Sequence, residues 1–234
     1  MAEGNRQLAS KARKIYHDLL DEYGEPQWKP SRSGFEQLIQ TILSANTNDR
    51  NSGKAFQTLK ERFAGDWDAV RTAPLEEIKD AIRVAGMYNQ KAPHIVETLE
   101  ILFREEGSYS LDHLRNMDPA AAQTYLQRFP GVGHKTASIV LLFSYGMAAF
   151  PVDTHVQRVT QRLGMSGRRA SAEKIKAVWE GLLPEETFFC LHVNLIRHGR
   201  TVCSARTPRC SHCVLHDECD YNARLGEWKS TEPD

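Results

Sequence analysis

Four of the five cysteines, Cys203, Cys210, Cys213 and Cys219, fall within 17 residues in the spacing C-x6-C-x2-C-x5-C. Four thiolates are soft ligands that suit zinc or an iron–sulfur cluster. Structural zinc sites more often pair two short C-x2–4-C units, and this stretch has a single C-x2-C. Four thiolates on one compact loop favour a four-iron cluster with one cysteine per iron, with zinc still open on spacing alone. Cys190, in Phe188-Phe189-Cys190-Leu191, reads instead as a small core residue. The loop also carries Arg206 and Arg209, with no acid between Cys203 and His216. Metal bracing of such a loop would hold cations against phosphates.

A second group of residues is Phe129-Pro130-Gly131-Val132-Gly133-His134-Lys135-Thr136-Ala137. Proline stops the preceding helix and two glycines allow a tight turn whose backbone can approach a ligand. The N–H groups of Gly131, Gly133 and the next helix start, near His134, suit an anion, so the segment reads as a helix-hairpin-helix over a DNA phosphate. Lys135 falls in the first turn of the second helix. The positive helix end, and any burial, would favour a free amine nucleophile there; a plain exposed lysine is the alternative. Eighteen residues on, Pro151-Val152-Asp153-Thr154-His155-Val156 offers a carboxylate, Asp153, that could take a proton from Lys135 or oppose charge on a cationic sugar. A simple helix cap is the competing role for Asp153. Two polar turns complete the set: Leu43-Ser44-Ala45-Asn46-Thr47-Asn48-Asp49, and Gly86-Met87-Tyr88-Asn89-Gln90-Lys91-Ala92, which presents Met87.

The elements positioning these residues read as helical. Leu8, Ala12, Ile15, Tyr16, Leu19 and Leu20 recur at three- and four-residue steps, as do Phe35, Leu38, Ile39, Ile42 and Leu43. Asp118-Pro119 reads as N-cap plus N1 proline and Ser171 as an N-cap. No period-2 strand stands out, and about ten helices are expected, most of 8 to 18 residues. Hydrophobic residues are 41% and charged residues 26% of the 234, a globular composition that excludes wholesale disorder and allows one or two domains. The longest aliphatic and aromatic run, Ile139–Phe143, is far short of a membrane span. The polar N-terminus lacks a secretory h-region, so the cytoplasm is expected. Lys plus Arg equals Asp plus Glu at 30 each, yet between Pro119 and His216 there are 12 basic and 5 acidic residues. A neutral chain with this asymmetry can present a phosphate-binding face.

Together these segments closely resemble the endonuclease III family of helix-hairpin-helix DNA glycosylases, from about Tyr16 to Tyr221 and in the family's motif order. The resemblance implies an all-α fold of two helical domains flanking a DNA-binding cleft. Residues 28–147 would form a six-helix domain with the helix-hairpin-helix near 123–145. Residues 1–27 and 148–222 would form a domain holding a [4Fe–4S] cluster on the four cysteines, and 223–234 a polar tail. The implied activity is removal of oxidised pyrimidines, followed by β-elimination at the abasic site. Lys135 would be the nucleophile and Asp153 its activator. The implied partner is double-stranded DNA with damaged bases or abasic sites, bound by a monomer with no membrane association and placed at the nucleoid through DNA. DNA-facing positions would be Asn46, Met87, Gly131, Gly133, His134, Thr136, His155, Arg206 and Arg209, with Asn46 and Met87 plugging the stack vacated by a flipped base. Well-known bacterial members carry glutamine and leucine where this chain has Asn46 and Met87. A mismatch glycosylase that cuts no strand, or a non-enzymatic DNA-binding protein with a metal knuckle, are the competing readings. Lys135 and the short stretch after Cys219 argue against the first.

Overall fold

The computed structural model describes residues 3–30 and 32–223. Among them are twelve α-helices: α1 Glu3–Tyr23, α2 Gly34–Ser44, α3 Asp49–Arg62, α4 Trp67–Thr72, α5 Leu75–Ile82, α6 Tyr88–Glu106, α7 Pro119–Leu126, α8 His134–Tyr145, α9 Thr154–Arg162, α10 Ala172–Leu182, α11 Phe188–Thr201 and α12 Asp220–Ala223. There is no strand among the described residues, and the all-α expectation holds. Two more helices appear than periodicity predicted. At six and four residues, α4 and α12 complete too few turns to show a 3.6-residue repeat. The helix starts follow local chemistry. Asp118 caps α7 by accepting from the Ala120 and Ala121 N–H groups, with Pro119 at the first position, and Ser171 caps α10 through the Lys174 N–H. The polar stretch from residue 224 lies outside the described residues.

The chain divides into two compact units, Lys29–Met147 and the described residues up to Trp28 together with those from Ala148 on. In the first, α2 buries Phe35, Leu38, Ile39, Ile42 and Leu43 and lies against α3, α6 and α8. Gly34 opens α2 because a Cβ there would collide with the Tyr145 ring of α8.

In the second unit α1 packs on α10 and α11, and α9 on α10, α11 and α12. Phe150, Trp179 and Phe188 are fully or almost fully buried at its centre, where Trp179 Nε1 donates to Thr160 Oγ1 at 2.9 Å. Asn194 of α11 donates to the Gly24 carbonyl at 3.1 Å, so a buried amide fastens the end of α1 to the C-terminal helices. Cys190 is buried, as its apolar neighbours predicted. No helix among the described residues is long and apolar enough to cross a membrane.

Candidate active site

The turn between α7 and α8 is held from below by Phe129 and Val132, both buried. Gly131 has φ +75°, a conformation that favours glycine, and a Cβ there would sit 2.5 Å from His94 Nδ1. Gly133 differs. It is extended, at φ −96° and ψ −176°, and a Cβ would meet nothing within 4 Å. Nothing inside the unit demands glycine at this position. No side chain caps α8, so its first-turn N–H groups remain available to an anion. Gln123 of α7 reaches the His134 carbonyl and Ser138 Oγ at 3.5 and 3.4 Å, holding the two helices together. His134 and Lys135 are exposed and Thr136 is half-buried. Of the two aids to a lysine nucleophile considered from sequence, the helix end is present and burial is not.

Asp153 is the N-cap of α9, its Oδ1 accepting the Val156 N–H at 2.8 Å. The capping role and a catalytic role are compatible, because the cap uses one carboxylate oxygen. The preceding segment is fixed by two contacts, one buried and one part-buried. His192 Nδ1 lies 2.9 Å from the Pro151 carbonyl, and the Phe150 N–H donates to Glu180 at 2.8 Å. His155 is half-buried, with Nδ1 3.1 Å from Arg158 Nη2.

Asn46 and Met87 meet, although 41 residues apart: Asn46 Nδ2 lies 3.4 Å from Met87 Sδ. Both are exposed and both occupy the left-handed region, at φ 52° and 50°. A non-glycine residue there carries backbone strain that its surroundings must hold. Lys91, from the same segment as Met87, is only 3% exposed. Its Nζ donates to the carbonyls of Leu43 and Ala85, each at 2.8 Å. Burial pushes its pKa down, and it also closes the amine off from a substrate, so it is no rival to Lys135 as an accessible amine.

The four clustered cysteines line one pocket, with Arg162, His198 and Leu215 in its wall. Among the described residues no three His, Cys, Asp or Glu side chains converge on a point that would hold a single metal ion. Arg162, one of the 12 basic residues between Pro119 and His216, is buried. Its guanidinium donates to the carbonyls of Ser204 and Ala205 at 2.7 and 2.8 Å, lies 3.5 Å from Cys203 Sγ and covers the Tyr221 ring. Arg158 likewise turns inward, to the Cys203 and Gly199 carbonyls. His198 Nε2 lies 3.6 Å from Cys213 Sγ, with the Tyr23 hydroxyl 3.0 Å from its other ring nitrogen. Burial pushes the Cys213 thiol up to about 11 and raises Cys219 in the same way. Thiolates in such a place need a strongly positive centre to remain ionised. Arg206 is exposed; Arg209 is exposed but donates to the Thr201 carbonyl at the end of α11.

Sequence reasoning placed the cysteines and both loops but missed the bracing by Arg162 and Lys91. The signal was positional: Lys91 falls on the stripe of Ile95, Leu99 and Leu102, and Arg162 beside Val159 and Leu163.

The model of the HhH-GPD superfamily of base excision DNA repair proteins matches residues 39–185. The chain is 34% identical over 219 residues to an endonuclease III of Sulfolobus acidocaldarius, covering 90% of this chain and 96% of that protein. It is 36% identical over 193 residues to the Thermotoga maritima endonuclease III, covering 82% and 85%. A trapped endonuclease III–DNA covalent intermediate, an estranged-adenine complex, matches with a TM-score of 0.79 at 28% identity, over 95% of this chain and 98% of that one.

Proposed function

The chain belongs to the HhH-GPD superfamily of base excision DNA repair proteins, and we propose that it excises oxidised pyrimidines through Lys135 and then cleaves the abasic strand. It is a base excision repair DNA glycosylase with lyase activity, and it binds DNA. In the proposed reaction the Lys135 amine attacks C1′ of the flipped nucleotide, and the base leaves with the bonding electron pair and a proton. Opening of the sugar gives a protonated Schiff base. Its electron demand acidifies the C2′ proton, and loss of that proton expels the 3′ phosphate. Asp153 accepts the lysine's proton and offsets charge on the sugar. The observation carrying this reading is the lysine itself: an exposed amine on the first turn of α8, next to a glycine turn with uncapped N–H groups.

The four cysteines are proposed to hold a [4Fe–4S] cluster, one iron each. Their shared pocket and the spacing of four thiolates on one short loop, with a single C-x2-C unit, support a multi-iron centre. When bound, the cluster supplies positive charge that keeps four thiolates ionised and ties their loop together. Arg158 and Arg162 then hold that loop's backbone, and Arg206 and Arg209 contact phosphates. The enzyme acts as a monomer on damaged duplex DNA in the cytoplasm.

The test is borohydride trapping. Reductant added during turnover should fix wild-type protein covalently to lesion-bearing DNA. Lys135→Gln should bind that DNA and give no adduct. Full adduct yield from Lys135→Gln would move the nucleophile elsewhere, and base release without strand cleavage by wild type would favour a monofunctional glycosylase.

A further inference from the structure

Lys91 is a buried lysine without a carboxylate partner among the described residues: burial alone shifts its titration. Taking an amine out of water is costly unless its hydrogen bonds are replaced. Here they are replaced by two main-chain carbonyls from different loops. One belongs to Leu43, in the last turn of α2, where carbonyls have no intrahelical partner and carry the negative end of the helix. The other belongs to Ala85, two residues before Met87. Each loop, within three residues of its carbonyl, then turns through a left-handed non-glycine residue, Asn46 on one side and Met87 on the other, and the two side chains touch.

We propose that Lys91 is a positioning residue that staples the Asn46 and Met87 loops together and so presets the pair of side chains that fills the gap left by the flipped base. The inference rests on the reading of Asn46 and Met87 as the plug. Its physical content is preorganisation: two strained residues held in place before DNA arrives cost nothing to order when the base leaves the stack. Without the amine, two buried carbonyls lose their donor and the loops are free to separate.

The test compares Lys91→Met, Met87→Ala and the double variant in three measurements. Amide hydrogen exchange on the free protein should rise in Lys91→Met around Ala45–Asn46 and Met87–Tyr88, by roughly tenfold or more, with the α8 amides unchanged. Single-turnover base release from a duplex carrying one oxidised thymine should slow in both single variants. The double variant should be no slower than the slower single one, because staple and wedge serve one step. Borohydride-trapped adduct with pre-formed abasic DNA should stay near the wild-type yield in Lys91→Met, since no stacked base has to leave. If Lys91→Met does not accumulate folded, Lys91→Gln, which keeps an NH2 group on a shorter stem, takes its place under the same criteria. Wild-type base release by Met87→Ala would overturn the plug reading and this proposal with it. Slow release by Met87→Ala, with exchange and release unchanged in Lys91→Met, would overturn the staple alone. An equal loss of abasic trapping and base release in Lys91→Met would reduce Lys91 to general structural support.

Discussion

Asp153 carries two duties that a substitution series can separate. One carboxylate oxygen accepts the Val156 N–H and starts α9; the proposed chemistry needs the group's negative charge. Asparagine caps helices about as well as aspartate, so Asp153→Asn should keep the melting temperature close to wild type while slowing base release by about 10²-fold or more, as expected for loss of a general base or an electrostatic stabiliser. Asp153→Ala should show the same chemical loss and also cost about 1 kcal/mol of stability from the missing cap. Thermal melting alongside single-turnover rates reads both. If Asp153→Asn retains full rate, the carboxylate is a cap and nothing more. Lys135 contrasts with it: its side chain is exposed, so Lys135→Gln should leave stability nearly untouched, and any large melting change would signal a packing role absent from the structure.

The helix-hairpin-helix shows what separates a glycine needed for folding from one needed for binding. Gly131 is required internally, by φ +75° and by the His94 ring beside it. Gly131→Ala should therefore destabilise the free protein by about 1–2 kcal/mol from the left-handed backbone alone. Gly133 has an ordinary extended backbone and open space where a Cβ would go. Gly133→Ala should change stability by at most about 1 kcal/mol and yet weaken binding to any duplex, because in the proposed binding mode the added methyl would stand between a DNA backbone and the N–H groups of α8. Titration of undamaged DNA checks this, and unchanged affinity would mean the phosphate does not come to this turn. The sequence could not distinguish these two glycines, since Gly-x-Gly reads the same for both. It did reveal the helices with strong apolar periodicity and the caps at Asp118 and Ser171, because those signals are local. The hydrogen bonds from Lys91 to Leu43 and from Arg162 to Ser204 span 48 and 42 residues. A place on an apolar stripe hints that each of these cations is buried, but its partner is fixed by tertiary packing, which leaves no spacing to read.

At the scale of the molecule, the problem is how a chain with 30 cations and 30 anions holds a polyanion. The basic excess between Pro119 and His216 does not all face solvent. Arg162 is buried, Arg158 turns inward to backbone carbonyls, and Arg128 pairs with Glu105 at 2.6 Å. Arg158 and Arg162 thus brace the cysteine loop, Arg128 is held in an ion pair, and exposed Arg206 is proposed to meet phosphate, which predicts different phenotypes for residues of one type. Arg206→Ala should weaken damaged and undamaged duplexes alike and reduce the salt slope of binding by about 1, with the visible spectrum of the purified protein unchanged. Arg162→Ala removes the donor to the Ser204 and Ala205 carbonyls, so it should destabilise the protein by about 1–3 kcal/mol and release the loop that carries Cys203. If the four cysteines hold the proposed iron–sulfur cluster, visible absorption should fade in Arg162→Ala, as it should in a Cys210→Ser variant that lacks one thiolate ligand, and DNA affinity should fall in step with that fading. Arg209, which reaches the end of α11, should show both effects in weaker form. Measuring iron content, melting temperature and salt-dependent affinity on the same preparations separates the two roles. A normal spectrum and normal stability in Arg162→Ala, with a salt slope reduced by about 1, would instead assign that arginine to phosphate binding.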